Sequence, residues 1–140
     1  MIICIEGADS SGKATQAKIL AERLHAKLFS FPDYSTPAGQ AILGNLKSGW
    51  VGALSEEQIL HRSLNDGVIS QRILRPDAQL NALVLQSLMT INRLERGADM
   101  HAAARAGHVV LDRYDASGIV YGGLDGLDPE WIAEINKQLP

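Results

Sequence analysis

A short motif near the start of the chain constrains the fold more than any other feature. Residues 7–13 read Gly-Ala-Asp-Ser-Ser-Gly-Lys, which fits the phosphate-binding pattern G-x-x-x-x-G-K. The motif follows an unbroken apolar run, Met1–Ile5, and precedes a helical pattern of apolar residues that reaches Leu24. Glycines let backbone amides wrap around a polyphosphate, and the lysine adds a mobile charge for the outer phosphates. This strand, loop and helix predict a binding site for a nucleoside triphosphate.

The residues that we expect to contact the phosphates begin at the first glycine of the motif and end one turn into the helix. They are Gly7, Ala8, Asp9, Ser10, Ser11, Gly12, Lys13, Ala14 and Thr15.

The residue after the lysine departs from the usual pattern. A serine or threonine at that position binds Mg²⁺ through its hydroxyl, but this chain has Ala14. Thr15 does not replace it simply, because neighbouring helical positions point about 100° apart. Mg²⁺ needs few direct protein ligands, so the nucleotide phosphates, water and Asp112 could hold it. We expect weaker Mg²⁺ retention, which does not imply lost activity.

The order of apolar runs predicts an α/β domain over residues 1–140, with a parallel sheet and helices on both faces. Met1–Ile5 and His108–Leu111 are apolar without alternation, as in strands covered on both faces, and Lys27–Phe31 is a further short strand. Tyr121–Gly123 is expected to be a loop or turn. The predicted helices are Ala14–Leu24, Ser35–Leu46, Ser55–Leu74, one that follows Asp77 and extends past Ile91, Ala98–Ala106, and residues 128–138.

Two residues of the helix after Asp77 are separated from its apolar stripe. Met89 and Arg93 lie one turn apart and well off that stripe, so we expect them to face a cleft rather than the core. The stripe itself, expected to pack, consists of Leu80, Leu83, Val84, Leu88 and Ile91.

An acidic and a basic residue follow the last predicted strand directly. In open α/β sheets, ligands bind beyond the carboxyl ends of the strands. There Asp112 could order water on Mg²⁺, and Arg113 could span phosphate oxygens. The alternative is a structural salt bridge at the end of a strand.

Composition excludes several other classes of protein. With 13 basic and 16 acidic residues the net charge is −3, so a surface that coats nucleic acid is not expected. No apolar stretch approaches the roughly 18 residues of a membrane span, and the start lacks the basic segment of a secretory leader. Cys4 has no cysteine partner for a disulfide. These features predict a cytoplasmic domain.

Four segments together resemble the thymidylate kinases, P-loop kinases that phosphorylate dTMP with ATP. The resemblance runs over essentially the whole chain, and its segments are Ile5–Gln16, Phe31–Gly39, Asn92–Arg93 and Asp112–Tyr121. It implies a P-loop NTPase-type fold, the cofactors ATP and Mg²⁺, dTMP as the small-molecule substrate, and a homodimer. The resemblance also implies that the chain lacks the family's C-terminal strands and lid beyond Pro140.

The resemblance assigns roles to individual residues. Lys13, Arg113 and Asp112 are the expected catalytic residues, Asp112 as the acidic neighbour of the arginine on the phosphates. Eight residues are the expected dTMP contacts. Asp9 is expected at the sugar 3′-hydroxyl, with Phe31 and Tyr34 around the sugar and phosphate and Tyr121 against the deoxyribose. Met89 is expected over the base, Arg93 at the thymine edge and Arg113 on the phosphates, and Ser117 is a further expected contact.

The sequence also departs from the family. Some members place an arginine where this chain has Ser10, and some have a side-chain amide near Gly118 or Gly122 that contacts substrate. These departures leave two alternatives open. The chain could be a kinase for another or a modified deoxynucleoside monophosphate, or a non-catalytic nucleotide-binding fragment completed by a partner.

Overall fold

The computed structural model describes residues 1–48, 78–137 and 139. The predicted helix Ser55–Leu74 lies outside the described residues. The elements are β1 (Ile2–Ile5), α1 (Lys13–Leu24), β2 (Lys27–Ser30), α2 (Pro37–Ser48), α3 (Ala78–Glu95), α4 (Gly97–Ala106), β3 (Val109–Asp112), α5 (Ala116–Leu124) and α6 (Pro129–Asn136).

The three strands form a parallel sheet in the order β1-β3-β2, which confirms the predicted class. Ile5 and Ser30 both pair in register with Asp112, so the three carboxyl ends are level. The segments that leave these ends are therefore brought together at one edge of the sheet. This edge is where an open α/β sheet binds its ligands.

Helices cover both faces of the central strand. Because side chains alternate along β3, one set packs with α4 and the other with α1. The first buried cluster is Phe29, Phe31, Met100, Val109 and Leu111, and the second is Ala17, Ala21 and Val110. Val109 and Val110 are fully buried, as an unalternated apolar strand predicts.

The first strand is less covered than its sequence predicts. Ile2 is 52% exposed and Cys4 is exposed, whereas Ile5 packs against α1. Within the described residues β1 pairs with β3 alone. The expectation that both faces of β1 are covered is therefore wrong for this part of the chain, because the strand lies at the edge of the sheet that it forms.

Residues 116–124 form a helix, α5, where the sequence indicated a loop or turn around Tyr121–Gly123. Glycine lowers helix propensity by about 1 kcal/mol relative to alanine, so the prediction failed. Close packing explains why glycine is used. A Cβ at Gly122 would lie 2.4 Å from Cδ1 of Ile132, so α5 approaches α6 only without a side chain at that position.

The buried side of α3 is not its apolar stripe. Leu83 and Ile91 of that stripe are 38% and 47% exposed, while Gln86, Asn92 and Arg93 are buried. The prediction that the stripe packs on the core is wrong for these residues. The reason is that the inner side of α3 carries polar groups for the site, and periodicity alone does not show which side faces inward. No helix within the described residues is long and apolar enough to span a membrane.

Candidate active site

The loop between β1 and α1 is wound around the lysine side chain. Ser10 and Gly12 have positive φ angles of 61° and 83°, and the amide of Ser11 donates to the carbonyl oxygen of Ala8 at 3.3 Å. Lys13 Nζ donates to the same carbonyl oxygen at 2.9 Å and lies 3.8 Å from the carboxylate of Asp9. The ammonium group is therefore held over the loop, and α1 begins at Lys13 with its first amides directed to the same place.

Arg113 lies at the carboxyl end of β3, facing this loop. Its backbone has φ 63°, and its amide donates to the carbonyl oxygen of Ile5 at 3.0 Å, which joins the ends of β3 and β1. Its guanidinium forms an ion pair with Asp9, donates to Ser117 Oγ at 3.3 Å, and lies 5.6 Å from the ring centroid of Tyr121. The side chain is thus fixed from three directions beside the phosphate loop.

Glu6 anchors the segment that carries Arg113, a role that sequence reasoning missed. Its carboxylate accepts the amide of Tyr114 at 2.8 Å and the hydroxyl of Ser117. Burial on its own would raise the pKa of Glu6, but these hydrogen bonds outweigh it and hold the pKa below its ordinary value. An acidic residue directly after an apolar strand was the only sequence signal for this role.

Asn92 joins α3 to the segment after β2. The side chain is fully buried, accepts the amide of Asp33 at 2.8 Å, and donates to the carbonyl oxygen of Asp33 at 3.0 Å and to Thr36 Oγ1 at 2.6 Å. Arg96, which directly follows α3, forms an ion pair with Asp33, in which Nε lies 2.8 Å from Oδ2. These contacts fix Arg93, between Asn92 and Arg96, relative to the wall formed by residues 31–36.

Arg93 is a buried cation whose donors are not fully used. It is 4% exposed, and its Nε and Nη1 have no hydrogen-bond partner among the residues that the structure describes. Its guanidinium lies 5.8 Å from the ring centroid of Tyr114. Burial lowers the pKa of Arg93, although an arginine stays protonated at neutral pH. Unpaired buried donors are costly, so this side chain is suited to a ligand with acceptor atoms.

A cavity of about 370 Å³ lies between the phosphate loop, α3 and α5. All eight residues predicted to contact dTMP line it, and the six further lining residues were not predicted as contacts. The lining residues are Asp9, Phe31, Pro32, Tyr34, Leu46, Leu85, Gln86, Met89, Arg93, Arg113, Ser117, Gly118, Tyr121 and Asp125. The structure brings the predicted set together, while the role of each residue stays a prediction.

Asp112 ends β3 between the two halves of the site. Its Oδ1 is buried and has no hydrogen-bond partner among the described residues. A buried unpaired carboxylate oxygen is suited to a water molecule or a hydrated cation. Ala14 offers no hydroxyl, and the described residues contain no group of three or more acidic, histidine or cysteine side chains that could hold a metal ion. The residues present therefore fit a water-mediated Mg²⁺ held mainly by a nucleotide.

Comparisons with known proteins agree on one family, although no protein-family model matches the chain. The chain is 32% identical to the thymidylate kinase of Schizosaccharomyces pombe over 99% of its own length and 56% of that protein. It is 29% identical to the thymidylate kinase of Caenorhabditis elegans, with 100% and 58% covered. A solved structure of thymidylate kinase from Candida albicans superposes with a TM-score of 0.59 and 28% identity, covering 97% and 54%.

The chain spans about half the length of the relatives that it matches. Across that span, the parallel sheet, the phosphate loop and the sequence similarity all agree. The chain therefore belongs to the thymidylate kinase family.

Proposed function

We propose that this chain carries the phosphate loop and acceptor site of a nucleoside monophosphate kinase that transfers the γ-phosphoryl group of ATP to dTMP. The observation that supports this proposal is that a residue of the phosphate loop also lines the 370 Å³ cavity. Asp9 belongs to the loop and Arg113 is paired with it, and both also line the cavity. A donor on the loop and an acceptor in the cavity would meet at this wall.

Positioning and charge neutralisation account for the proposed chemistry. The acceptor phosphate is already an anion near neutral pH, so no strong general base is needed. Lys13 would bind the outer phosphates of ATP, and Arg113 would bind between the two phosphate groups, where a phosphate competes with Asp9 for the guanidinium. Holding both reactants in line removes much of the entropic barrier to transfer.

Mg²⁺ would bind to the nucleotide phosphates and, through water, to Asp112. When bound, it neutralises charge on the phosphates of the donor. The absence of a hydroxyl at Ala14 makes us expect that this chain holds the ion less firmly than a P-loop with serine or threonine there.

The cavity wall suits a deoxynucleotide. Phe31 and Met89 supply apolar surface, Arg93 supplies hydrogen-bond donors, and Tyr34 and Tyr121 supply partly exposed rings. Such a pocket, mostly apolar with a few convergent polar groups, is typical of a small-molecule site. We propose that the base lies near Met89 and Arg93 and the sugar near Tyr121.

A second candidate function is a kinase for another or a modified deoxynucleoside monophosphate. Met89 favours it, because a methionine side chain adapts to rings of different shape. The solved thymidylate kinase from Candida albicans is described as having broad substrate specificity. A non-catalytic nucleotide-binding role remains the third alternative, supported by Ser10 and Ala14 at two positions of the loop.

We also propose a homodimer in the cytoplasm. Leu83, Ile91 and Leu94 are 38%, 47% and 44% exposed on one side of α3, and apolar residues so arranged favour contact with another apolar surface. Sedimentation of the wild type and of Ile91→Glu tests the dimer. A dimer that Ile91→Glu dissociates supports the proposal, and a wild-type monomer contradicts it.

The activity is tested by incubating the protein with labelled ATP, Mg²⁺ and each of a panel of monophosphates. We expect label in dTDP, faster than in the diphosphates of deoxycytidine or deoxyguanosine, and none with Lys13→Ala. A clear preference for another monophosphate favours the second candidate. Binding of both nucleotides without transfer by the folded protein favours the third.

A further inference from the structure

Gln86 is a buried polar side chain in the wall of the candidate acceptor cavity. It is 4% exposed and lies on α3, two turns before Arg93 and therefore on the same side of the helix. The backbone carbonyl of Gln86 accepts the hydroxyl of Thr90 at 3.1 Å, whereas its side-chain amide makes no hydrogen bond within the described residues.

The glycines of α5 leave the space that Gln86 occupies. Its Oε1 lies 3.1 Å from the position that a Cβ would take at Gly118, and its Cγ lies 3.1 Å from the corresponding position at Gly122. Any larger residue at either position would press on the Gln86 side chain. The absence of side chains on this side of α5 therefore lets an amide from α3 enter the cavity wall.

The guanidinium of Arg93 meets Gln86 at the same place. Its Nη2 lies 3.3 Å from the Cβ position at Gly118, so the two polar ends are side by side over that glycine. The neighbouring wall contains Leu85 and Met89, which offer no hydrogen bonds of comparable strength. A few convergent polar groups in an apolar pocket fix the orientation of a ligand.

We propose that Gln86 is a specificity-determining residue that reads the base of the acceptor nucleotide jointly with Arg93. This inference rests on the proposed function. A guanidinium only donates hydrogen bonds, whereas an amide both donates and accepts. Thymine presents a carbonyl beside a ring N–H, so the carbonyl accepts from Arg93 and the N–H donates to Oε1 of Gln86.

Arg93 and Gln86 together distinguish thymine from cytosine. Cytosine presents an amino group beside an unprotonated ring nitrogen, so the amino group faces Arg93 donor to donor and the ring nitrogen faces Oε1 of Gln86 acceptor to acceptor. Turning the glutamine amide by 180° would place its NH₂ group beside the guanidinium, donor to donor, so the neighbouring Arg93 favours the orientation in which Oε1 accepts. A site built from hydrogen-bonding groups rejects an analogue that leaves those groups unpaired.

The test is calorimetric titration of dTMP and dCMP into the wild type, Gln86→Met and Ser87→Ala. Methionine keeps the length of the side chain and removes the amide. Ser87 lies next to Gln86 but does not line the cavity, so it is the matched control. We expect Gln86→Met to weaken dTMP binding by about 10-fold or more and dCMP binding much less, with Ser87→Ala like the wild type.

An unchanged ratio of the two dissociation constants in folded Gln86→Met overturns the inference, while dTMP binding by the wild type leaves the proposed function standing. A wild type that binds no dTMP overturns both. If Gln86→Met does not fold, Gln86→Leu replaces it, since leucine also removes the amide and leaves Arg93 in place. A reduced preference for dTMP in Gln86→Leu then supports the inference, and an unchanged preference contradicts it.

Discussion

At the scale of single residues, the site depends on a series of polar contacts, some of which join residues far apart in the sequence. Glu6 accepts from Ser117, Ser117 accepts from Arg113, and Arg113 pairs with Asp9, which also lies near Lys13. The contacts of Glu6 with Ser117 and of Asp9 with Arg113 join the phosphate-loop region to the segment after β3. The positions of the two cations are therefore set jointly by both segments.

Replacement of Lys13 by alanine should weaken binding of ATP by about 10-fold or more and abolish transfer, because no other cation is held over the loop at the Ala8 carbonyl among the described residues. Titration with a non-hydrolysable ATP analogue measures the change. Lys18→Ala, on the exposed side of the same helix, is the control and should bind like the wild type. Equal binding by Lys13→Ala and Lys18→Ala would contradict the role of the loop.

Cys4 should react slowly with alkylating reagents although it is exposed. Partial burial of the thiol group and the adjacent carboxylate of Glu6 raise the pKa of Cys4 to about 12, so little thiolate is present near neutral pH. We expect alkylation by iodoacetamide near pH 8 to be roughly 100-fold slower than that of free cysteine or more. Glu6→Gln should speed it, and a wild-type rate equal to that of free cysteine would count against this environment.

At the scale of elements, α2 approaches the segment after β2 through a glycine. A Cβ at Gly39 would lie 1.9 Å from the carbonyl oxygen of Asp33, whereas one at Gly44 of the same helix would meet no atom of the described residues within 4 Å. Gly39→Ala therefore changes the packing of α2 against the wall that carries Tyr34. Gly44→Ala is its matched control.

We expect Gly39→Ala to lower the free energy of unfolding by about 2 kcal/mol or more, because backbone must move to admit the methyl group. Gly44→Ala should raise it by up to about 1 kcal/mol through helix propensity. Urea unfolding of both variants measures these changes. Similar effects of the two substitutions would show that α2 does not approach Asp33 so closely.

The sequence predicted the elements with strong local signals and missed those set by distant contacts. The phosphate loop and Arg113 were identified because each directly follows an apolar strand. Helix α5 was missed because Gly118 and Gly122 disfavour a helix locally, and only α3 and α6 explain them. The placement of Met89 and Arg93 off the apolar stripe predicted that they face a cleft, and both line the cavity. The inner side of α3 was nevertheless assigned wrongly, because Gln86 and Asn92 are buried, which hydrophobic periodicity does not reveal.

At the scale of the whole molecule, the position of the site is set by the carboxyl ends of the three parallel strands, which lie side by side at one edge of the sheet. The loops after β1, β2 and β3 contribute Asp9, Phe31 and Arg113 to one cavity, although these residues are far apart in sequence. The parallel sheet could be predicted from the apolar runs, but Glu6 and Gln86 could not be assigned roles. Their contacts are with α5, whose existence had no local signal.

We expect the fold to be less stable in acid, because two carboxylates that stabilise it become protonated. Burial on its own would raise the pKa of Glu6 and of Asp33. The hydrogen bonds from Ser117 and Tyr114 to Glu6 outweigh it, as do the hydrogen bonds from Ser35 to Asp33 together with the ion pair with Arg96, so both pKa values are lowered. A carboxylate whose pKa is lower in the folded state than in the unfolded state stabilises the protein at pH values above the unfolded pKa. This stabilisation is lost as the pH falls through the folded pKa.

We therefore expect the free energy of unfolding to fall as the pH drops below the ordinary values of 4.5 for Glu6 and 3.8 for Asp33. Urea unfolding at a series of pH values measures the slope. Glu6→Gln should show a shallower loss in acid than the wild type. An identical slope in the two proteins would mean that Glu6 is not held as a carboxylate by Ser117 and Tyr114.

The proposed acceptor site is tested most directly by a calorimetric titration of dTMP into the folded protein and into Arg93→Met. We expect saturable binding of one nucleotide per chain, preferring dTMP over dCMP, and a loss of about 10-fold or more in affinity for Arg93→Met. No binding of dTMP by the folded wild type, or equal affinity in the two proteins, would contradict the assignment of this cavity as the acceptor site.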